Sequence, residues 1–172
     1  MSEWQECIVE EIAMPGKNSL STGPFGSAIS SKYFVDTGVP VIRGGNLSTE
    51  IGTRIIDDCF VFVTEEKASE FTRSTVREGD IVFTCRGTIN QIGLIDKKSK
   101  YSEYIISNKQ MKLTPDTEKT DSLFLYYLFS SPEKQQEIIN NGIGAAVPGF
   151  NLGQLRKMVL SLPPLGACPR IA

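Results

Sequence analysis

The residues best suited to chemistry lie in a short polar break between two apolar segments, in the stretch GDIVFTCRGTINQIGLI at residues 79–95. The break contains Arg86, Thr88, Asn90 and Gln91. A guanidinium group and two amides form paired hydrogen bonds with base edges and single hydrogen bonds with phosphates. The stretch therefore predicts two strands joined by a loop whose side chains suit nucleic acid. A salt bridge at the end of the strand is the alternative role for Arg86.

Three other loop-like stretches have the same composition: SAISSKYF, IRGGNLS and NNGIGAAVPGFN. Each combines glycine or serine with polar side chains at the end of an expected strand or helix. Glycine lets backbone N–H groups approach a partner closely. Composition by itself favours ordinary connecting loops, because the same residues are common wherever a chain turns.

The residue inventory gives catalysis little support. The chain has no histidine, which excludes Ser-His-Asp and Cys-His nucleophile systems. The four cysteines, Cys7, Cys59, Cys85 and Cys168, include no C-x-x-C pair, so no zinc site is expected. Cys59 and Cys85 lie in strand-like runs, and both are expected to be small core residues. Metal catalysis would therefore have to rest on carboxylates alone, and no residue pattern indicates a metal or a cofactor.

Catalytic motifs occur only as fragments. Residues 142–147 begin a G-x-G-x-x-G pattern but end it with valine. Glu65–Lys67 has the E-x-K form of one nuclease family, but the Pro-Asp pair that should precede it follows it, at 115–116. The Pro-Pro pair at 163–164 is flanked by leucines and lacks the surrounding residues of a methyltransferase motif. An enzyme that uses carboxylates remains the least favoured alternative, and divalent-metal-dependent turnover would reveal it.

Length and composition indicate one ordinary globular domain. The chain has 172 residues, of which 40% are apolar and 22% charged. No apolar run reaches the roughly 20 residues of a membrane span, and the N-terminus lacks a secretory apolar region, so a cytoplasmic location is expected. The net charge of −2 argues against binding nucleic acid by charge alone, although one face of an acidic domain can still be basic.

The elements that must position the polar loops are strands first and helices later. Strands are expected at VPVI, CFVFVT, TVREGDIVFTC, IGLID and YIISN, and at QMKLTPD as a half-exposed strand. Helices are expected over EEKASEF after Thr64, over SLFLYYLFS after Asp121, over PEKQQEIINN up to Gly142, and over LGQLRKM after Asn151. A final edge strand, VLSLPPL, ends at proline. This order favours an α+β fold, with a strand-rich N-terminal part, a mixed irregular sheet and helices clustered toward the C-terminus.

Four landmarks in this order resemble a target recognition domain of a type I restriction-modification specificity subunit. The first three are GPFGSAISSKYFVDTGVPVIRGGNLS, GDIVFTCRGTINQIGLI and ISNKQMKLTPD. The fourth is AAVPGFNLGQLRKMVLSLPPL, in which Asn-Leu opens a short helix before a strand that ends in Leu-Pro-Pro-Leu. Together they span nearly the whole chain.

The resemblance implies a non-catalytic domain that reads one half of a split target in double-stranded DNA. It implies modification (methyltransferase) subunits as partners and, indirectly, a restriction or motor subunit. The loop at residues 86–91 would then face DNA, with Arg43 and Arg86 as the candidates for reading guanine. The candidate DNA-binding residues are Lys32, Arg43, Asn46, Arg86, Thr88, Asn90, Gln91, Asn141 and Asn151.

The sequence departs from this family at its C-terminal end. After Leu-Pro-Pro-Leu the family continues into a long spacer helix, whereas this chain reads GACPRIA. Proline at 169 disfavours a helical conformation at Cys168. We therefore expect residues 1–165 to form one target recognition domain and residues 166–172 to be the truncated start of the spacer helix. We also expect a monomer.

A protein-interaction module with little DNA affinity of its own is the second interpretation. The acidic balance supports it, and the aromatic segment LFLYYLF could form a docking face, although its helical spacing is more typical of core. Salt dependence separates the two interpretations, because a DNA-binding domain loses affinity steeply as salt is added.

Overall fold

The computed structural model describes residues 3–142, 146 and 149–164 and contains both strands and helices. The strands of the described part are β1 (Gln5–Ile8), β2 (Leu20–Thr22), β3 (Val39–Ile42), β4 (Val61–Val63), β5 (Thr75–Val76), β6 (Ile81–Thr84), β7 (Ile92–Leu94), β8 (Tyr104–Ile106), β9 (Gln110–Leu113) and β10 (Val159–Leu162). The α-helices there are α1 (Val9–Ile12), α2 (Glu65–Ser69), α3 (Ser122–Ser130), α4 (Pro132–Asn141) and α5 (Leu152–Lys157). No helix among the described residues is long and apolar enough to cross a membrane.

The strands form two four-stranded sheets and a ribbon. The first sheet has the order β2-β9-β6-β7 and is antiparallel throughout. The second sheet has the order β4-β3-β8-β5 and is mixed, because β3 and β8 run parallel. The ribbon pairs β1 with β10. Three of the five described helices lie between residues 122 and 157. The predicted α+β class, with a mixed sheet and helices toward the C-terminus, is confirmed.

The predicted helix starts are confirmed at the level of individual hydrogen bonds. The Thr64 hydroxyl accepts from the Lys67 N–H at 3.1 Å, and the Asp121 carboxylate accepts from the Phe124 N–H at 2.9 Å. Asn151 and Gln154 form a reciprocal capping box. Each of these side chains satisfies an N–H group that the first helical turn leaves unpaired.

The aromatic helix α3 belongs to the core. Leu125, Tyr126 and Phe129 are buried in one cluster with the inner side chains of the first sheet. The Phe129 ring meets the Phe83 ring edge to face, with centroids 4.9 Å apart. Such aromatic pairs favour this geometry and stabilise a packed interior. This face of the helix is therefore occupied within the chain and is not a docking surface.

One strand predicted at residues 75–85 is in fact two strands in different sheets. Thr75–Val76 pairs with β8 in the second sheet, whereas Ile81–Thr84 pairs with β7 and β9 in the first. Gly79, at φ +94°, and a turn closed by the Asp80 N–H and the Arg77 carbonyl at 3.0 Å separate them. The chain crosses between the sheets here, which apolar periodicity alone does not reveal.

Two expectations about individual side chains are wrong. Strand β9 is fully buried rather than half-exposed, with Lys112 only 6% exposed, because the strand has a neighbour on each side and its polar side chains are covered as well. Cys59 is exposed and lies before β4 in a left-handed conformation, where the Asp58 carboxylate accepts its N–H at 2.8 Å. Cys85 is half-buried against the core of the first sheet.

Lys112 connects the two four-stranded sheets from the inside. Its ammonium group donates to the carbonyl oxygen of Thr75 at 2.8 Å and lies 4.0 Å from the Asp80 carboxylate. Asp80 also accepts from the Thr114 hydroxyl at 2.6 Å and the Arg77 N–H at 2.9 Å. Burial lowers the pKa of Lys112 and raises the pKa of Asp80, since both charged forms lose water.

Replacing Lys112→Met should lower the free energy of unfolding by about 3–5 kcal/mol, because the Asp80 carboxylate would remain buried without a cation. The additional change Asp80→Asn should recover part of the loss, because an amide can accept from the Arg77 N–H and donate to the Thr114 hydroxyl. Urea unfolding of both variants measures this. Equal stability of Lys112→Met and the wild-type chain would contradict the proposed connection.

Candidate nucleic-acid interface

Two adjoining clefts form one concave surface where strands of both sheets end. The first cleft, about 350 Å³, and the second, about 500 Å³, share Arg86 and Asn108 in their walls. The residues that line them are named here the Arg86 surface. They include Thr22, Phe25, Arg43, Thr84, Cys85, Arg86, Thr88, Gln91, Ser107, Asn108, Lys109, Asn151 and Gln154.

Strand direction explains why distant segments meet at this surface. Because β3 and β8 are parallel, Arg43 and the turn at residues 107–109 emerge at the same edge of the second sheet, and the Ser107 N–H donates to the Ile42 carbonyl at 3.0 Å. Strand β6 is antiparallel to β9, so its end lies beside the start of β9, and the Cys85 N–H donates to the Lys109 carbonyl at 2.6 Å. The turn at 107–109 therefore makes backbone hydrogen bonds to the ends of strands in both sheets.

The loop after β6 is anchored by a few inward contacts. Gly87 has φ +95°, a left-handed conformation that glycine adopts without strain. Ile89, two residues after Gly87, is buried in the core of the first sheet. These two residues give the loop a fixed shape while Arg86 and Thr88 remain exposed. The predicted polar turn between β6 and β7 is present.

Gln91 joins this loop to the loop that follows β3. Its amide nitrogen donates to the carbonyl oxygens of Gly44 at 2.9 Å and Leu47 at 3.1 Å. Its amide oxygen accepts from the Thr84 hydroxyl at 3.0 Å. All of these contacts lie within the chain. Gln91 therefore fixes the spacing between the two loops that carry Arg43 and Arg86.

Asn46 has a similar internal role. Its side chain is only 3% exposed, accepts from the Arg43 N–H at 3.1 Å, and donates to the carbonyls of Ile56 at 3.2 Å and Asp58 at 3.0 Å. These bonds hold the turn at residues 44–46 against the segment before β4. The geometry supports a positioning role for Asn46 rather than direct contact with a ligand.

The exposed cations of the surface have no acidic neighbours in its walls. Arg43 and Arg86 are exposed, and Lys109 adds a third positive charge. None of the described residues that line the two clefts is Asp or Glu. Among the ion pairs formed within residues 3–142, 146 and 149–164, none involves these three cations. The alternative of an Arg86 salt bridge is therefore not seen in the described part of the chain.

The remaining predicted residues are more dispersed. Asn151 lines the second cleft as the N-cap of α5, and Asn90 is half-buried in the loop after β6. Lys32 is exposed on a 3-10 turn, with its ammonium 4.9 Å from the Tyr33 ring centroid, and lies outside both clefts. Asn141, the last residue of α4, also lies outside them. Part of the loop that follows Asn141, at residues 143–145 and 147–148, falls outside the described residues.

Sequence reasoning missed Asn108, Lys109 and Phe25 as members of the surface. Asn108 ends one expected strand and Lys109 separates it from the next, and this position was the available signal. Phe25 gave no signal of its own, because a single apolar residue in a glycine-rich loop has no characteristic pattern. Among the described residues no group of three or more His, Cys, Asp or Glu is arranged to hold a metal ion.

Asn46→Ala should lower the free energy of unfolding by about 1–3 kcal/mol, because it leaves one N–H and two carbonyl groups without their partner. The matched control is Asn141→Ala, an exposed asparagine whose removal should change stability by less than about 0.5 kcal/mol. Chemical denaturation of both variants measures the difference. A neutral Asn46→Ala would mean that its amide is free for another partner.

The Cys85 thiol should be unreactive at neutral pH. Burial raises its pKa to about 11, against the opposing influence of the Arg86 charge, and the thiolate is the reactive form. Alkylation by iodoacetamide, mapped to each peptide by mass spectrometry, should modify exposed Cys59 readily at pH 7 and Cys85 only as the pH approaches 11. Equal modification of both at pH 7 would show that Cys85 is more accessible than described.

Three solved structures from type I restriction-modification systems have a similar fold. A chain from a study of complex assembly and conformational transition of the type I R-M system has a TM-score of 0.64 at 15% identity, covering 95% of this chain and 35% of that one. The S subunit from M. genitalium has a TM-score of 0.61 at 12% identity, and the match covers 94% of this chain and 35% of that one. The HsdS subunit from Thermoanaerobacter tengcongensis has a TM-score of 0.61 at 15% identity, and the match covers 95% of this chain and 34% of that one. This chain therefore spans about a third of the length of these solved chains.

The fold is thus one found in chains of type I restriction-modification systems. The family described as type I restriction modification DNA specificity domain matches residues 2–172, and the chain belongs to that family. The resemblance read from the four sequence landmarks is confirmed. A search of curated proteins finds no match.

Proposed function

We propose that the Arg86 surface binds double-stranded DNA and reads base pairs in the major groove, as one half of a split target. The observation that carries the proposal is the convergence of exposed Arg43, Arg86 and Lys109 on a concave surface without carboxylates, in a chain whose net charge is −2. Such local segregation of positive charge provides the attraction to phosphates that the whole chain lacks.

Arg43 and Arg86 are the proposed guanine-reading residues, because a guanidinium group can donate two hydrogen bonds to O6 and N7 of one guanine. Thr88, Asn90 and Asn151 supply hydrogen bonds to neighbouring base edges or to the backbone. Lys109 and, farther out, Lys32 and Asn141 contact phosphates and position the duplex. Asn46 and Gln91 contribute indirectly, by holding the two arginine-bearing loops.

The proposed biological setting is a type I restriction-modification assembly. In this setting the chain supplies sequence recognition, modification subunits methylate the DNA, and a restriction or motor subunit acts downstream. The chain itself has no catalytic role and no cofactor in this proposal, and by itself it is a monomer in the cytoplasm. Family membership and the fold shared with type I chains support this setting.

The first experiment is selection from a random pool of duplex DNA by the purified chain at low salt, followed by sequencing. An enriched motif supports recognition by the chain itself. If nothing is enriched, the selection is repeated with modification subunits present, and enrichment only then supports recognition within an assembly. No enrichment in either case contradicts the proposed function.

Arg86→Ala should weaken binding to the selected duplex by about 1–3 kcal/mol, the value of one bidentate base contact, and should leave circular dichroism unchanged because the side chain is exposed. Arg86→Lys keeps the charge but loses the planar fork, so it should recover little of the specificity. Titration of labelled duplex measures both variants.

The matched control for charge is Lys98→Ala. Lys98 is exposed and follows β7, at the end of the β6–β7 hairpin opposite to Arg86. Its loss should change affinity only slightly. An equal loss in Lys98→Ala and Arg86→Ala would contradict a specific role for the Arg86 surface, and a loss of folded structure in Arg86→Ala would contradict the loop assignment.

A protein-interaction module is the second candidate function. Exposed Trp4, just before β1, and exposed Val159 on β10 favour it, because both present apolar area and neither lines the Arg86 surface. Affinity for DNA that is weak at low salt and insensitive to added salt would support this candidate over DNA recognition.

A further inference from the structure

Phe25 is held in solvent by a rigid loop. Its side chain is 75% exposed, more than any other large hydrophobic residue in the described part of the chain. The Gly23 N–H beside it donates to the Gln110 carbonyl at 3.0 Å, and a Cβ atom at Gly23 would collide with the Ser107 carbonyl oxygen. Pro24 is buried and restricts the backbone further. The loop therefore packs closely on the turn at 107–109 and holds the backbone from which the ring extends.

The surroundings of Phe25 are those of a polar cleft. The ring lines the second cleft together with Arg86, Asn108 and Asn151. The guanidinium carbon of Arg73 lies 5.8 Å from the ring centroid, over one face of the ring. A single exposed apolar residue is ordinary on a protein surface. Its position beside an arginine and two amides, in a cleft whose described lining residues include no carboxylate, is what requires an explanation.

We propose that Phe25 contacts the C5-methyl group of a thymine in the major groove and thereby reads that base. The inference rests on the proposed function, because it requires that the Arg86 surface faces DNA. In the major groove, thymine presents a methyl group, and phenylalanine is among the side chains that contact it. Guanine readers and a thymine-methyl reader on one surface, the Arg86 surface, would let the chain distinguish both kinds of base pair along one groove.

The ring is poorly arranged for insertion between base pairs. Apolar side chains that insert between base pairs belong to proteins that bind the minor groove, whereas the proposed contact lies in the major groove. The Arg73 guanidinium lies over one face of the ring, with its carbon 5.8 Å from the centroid, so the opposite face and the outer edge are the most open to a ligand. A contact with a single methyl group needs only the open face or the outer edge of the ring. The arrangement therefore favours edge contact in the major groove over wedging.

The test removes the methyl group and the ring separately. The duplex selected by the wild-type chain is prepared with each thymine replaced in turn by deoxyuridine, which lacks only the methyl group. At one position the wild-type affinity should fall about fourfold, since burying one methyl contributes roughly 0.8 kcal/mol. Phe25→Ala should bind the thymine duplex more weakly by a similar factor and should lose nothing more with deoxyuridine at that position.

Two further variants keep the result interpretable. Phe25→Leu retains an apolar side chain and should keep most of the methyl dependence, which separates loss of contact from a damaged loop. Ile51→Ala removes an exposed apolar side chain outside both clefts and should keep the wild-type dependence. Circular dichroism checks that all three variants are folded.

Several outcomes would overturn the inference while leaving the proposed function intact. They are a selected motif without thymine, wild-type affinity that is insensitive to every deoxyuridine, and unchanged methyl dependence in Phe25→Ala. Insertion of the ring between base pairs would give a different pair of results. Phe25→Ala would bind every duplex more weakly, and the fluorescence of 2-aminopurine placed beside the site would increase on binding of the wild-type chain but not of Phe25→Ala. If the wild-type chain selects no duplex, with or without modification subunits, the proposed function fails and the inference fails with it.

Discussion

The candidate interface depends on a fixed relation between two sheets that share no hydrogen-bonded strands. Arg43 follows a strand of the second sheet and Arg86 a strand of the first. Inside the molecule, the Lys112 ammonium extends from the first sheet to the Thr75 carbonyl of the second at 2.8 Å. At the surface, the turn at 107–109 carries the chain directly from β8 to β9. A buried cation and a short turn thus hold the two sheets together, and Gln91 fixes the spacing between the loops that carry the two arginines.

The polar residues of the loops at the Arg86 surface fall into two groups. Asn46 and Gln91 use their amides within the chain, whereas Arg43 and Arg86 extend into the cleft. All four are polar residues in glycine-containing loops, and composition and spacing are the same for both groups. What separates them is whether a carbonyl or an N–H of another loop lies within hydrogen-bonding distance. That distance is a property of tertiary structure, so sequence reasoning named Asn46 and Gln91 as DNA-binding candidates and could not recognise that their amides bond within the chain.

Local signals predicted the fold well where the physics is local. Thr64, Asp121 and Asn151 cap helices because their side chains bond to N–H groups a few residues away. Prediction failed where a distant partner decides the outcome. Lys112 sits in an alternating segment typical of a half-exposed strand, yet Asp80 and Thr75 make its burial tolerable. Similarly, the break between β5 and β6 reflects which sheet each half joins, and apolar residues suit both sheets equally.

The pairing of β1 with β10 has a consequence for how such a fold can be carried in a longer polypeptide. Gln5 lies opposite Leu162, so the chain enters and leaves the fold on neighbouring strands, about 5 Å apart. A unit with adjacent entry and exit points can be exchanged as a cassette without displacing the segments on either side of it. The ribbon is also a separate sheet from the two that carry the loops of Arg43 and Arg86. Loop sequences can therefore diverge without altering the strand pair by which the unit is attached.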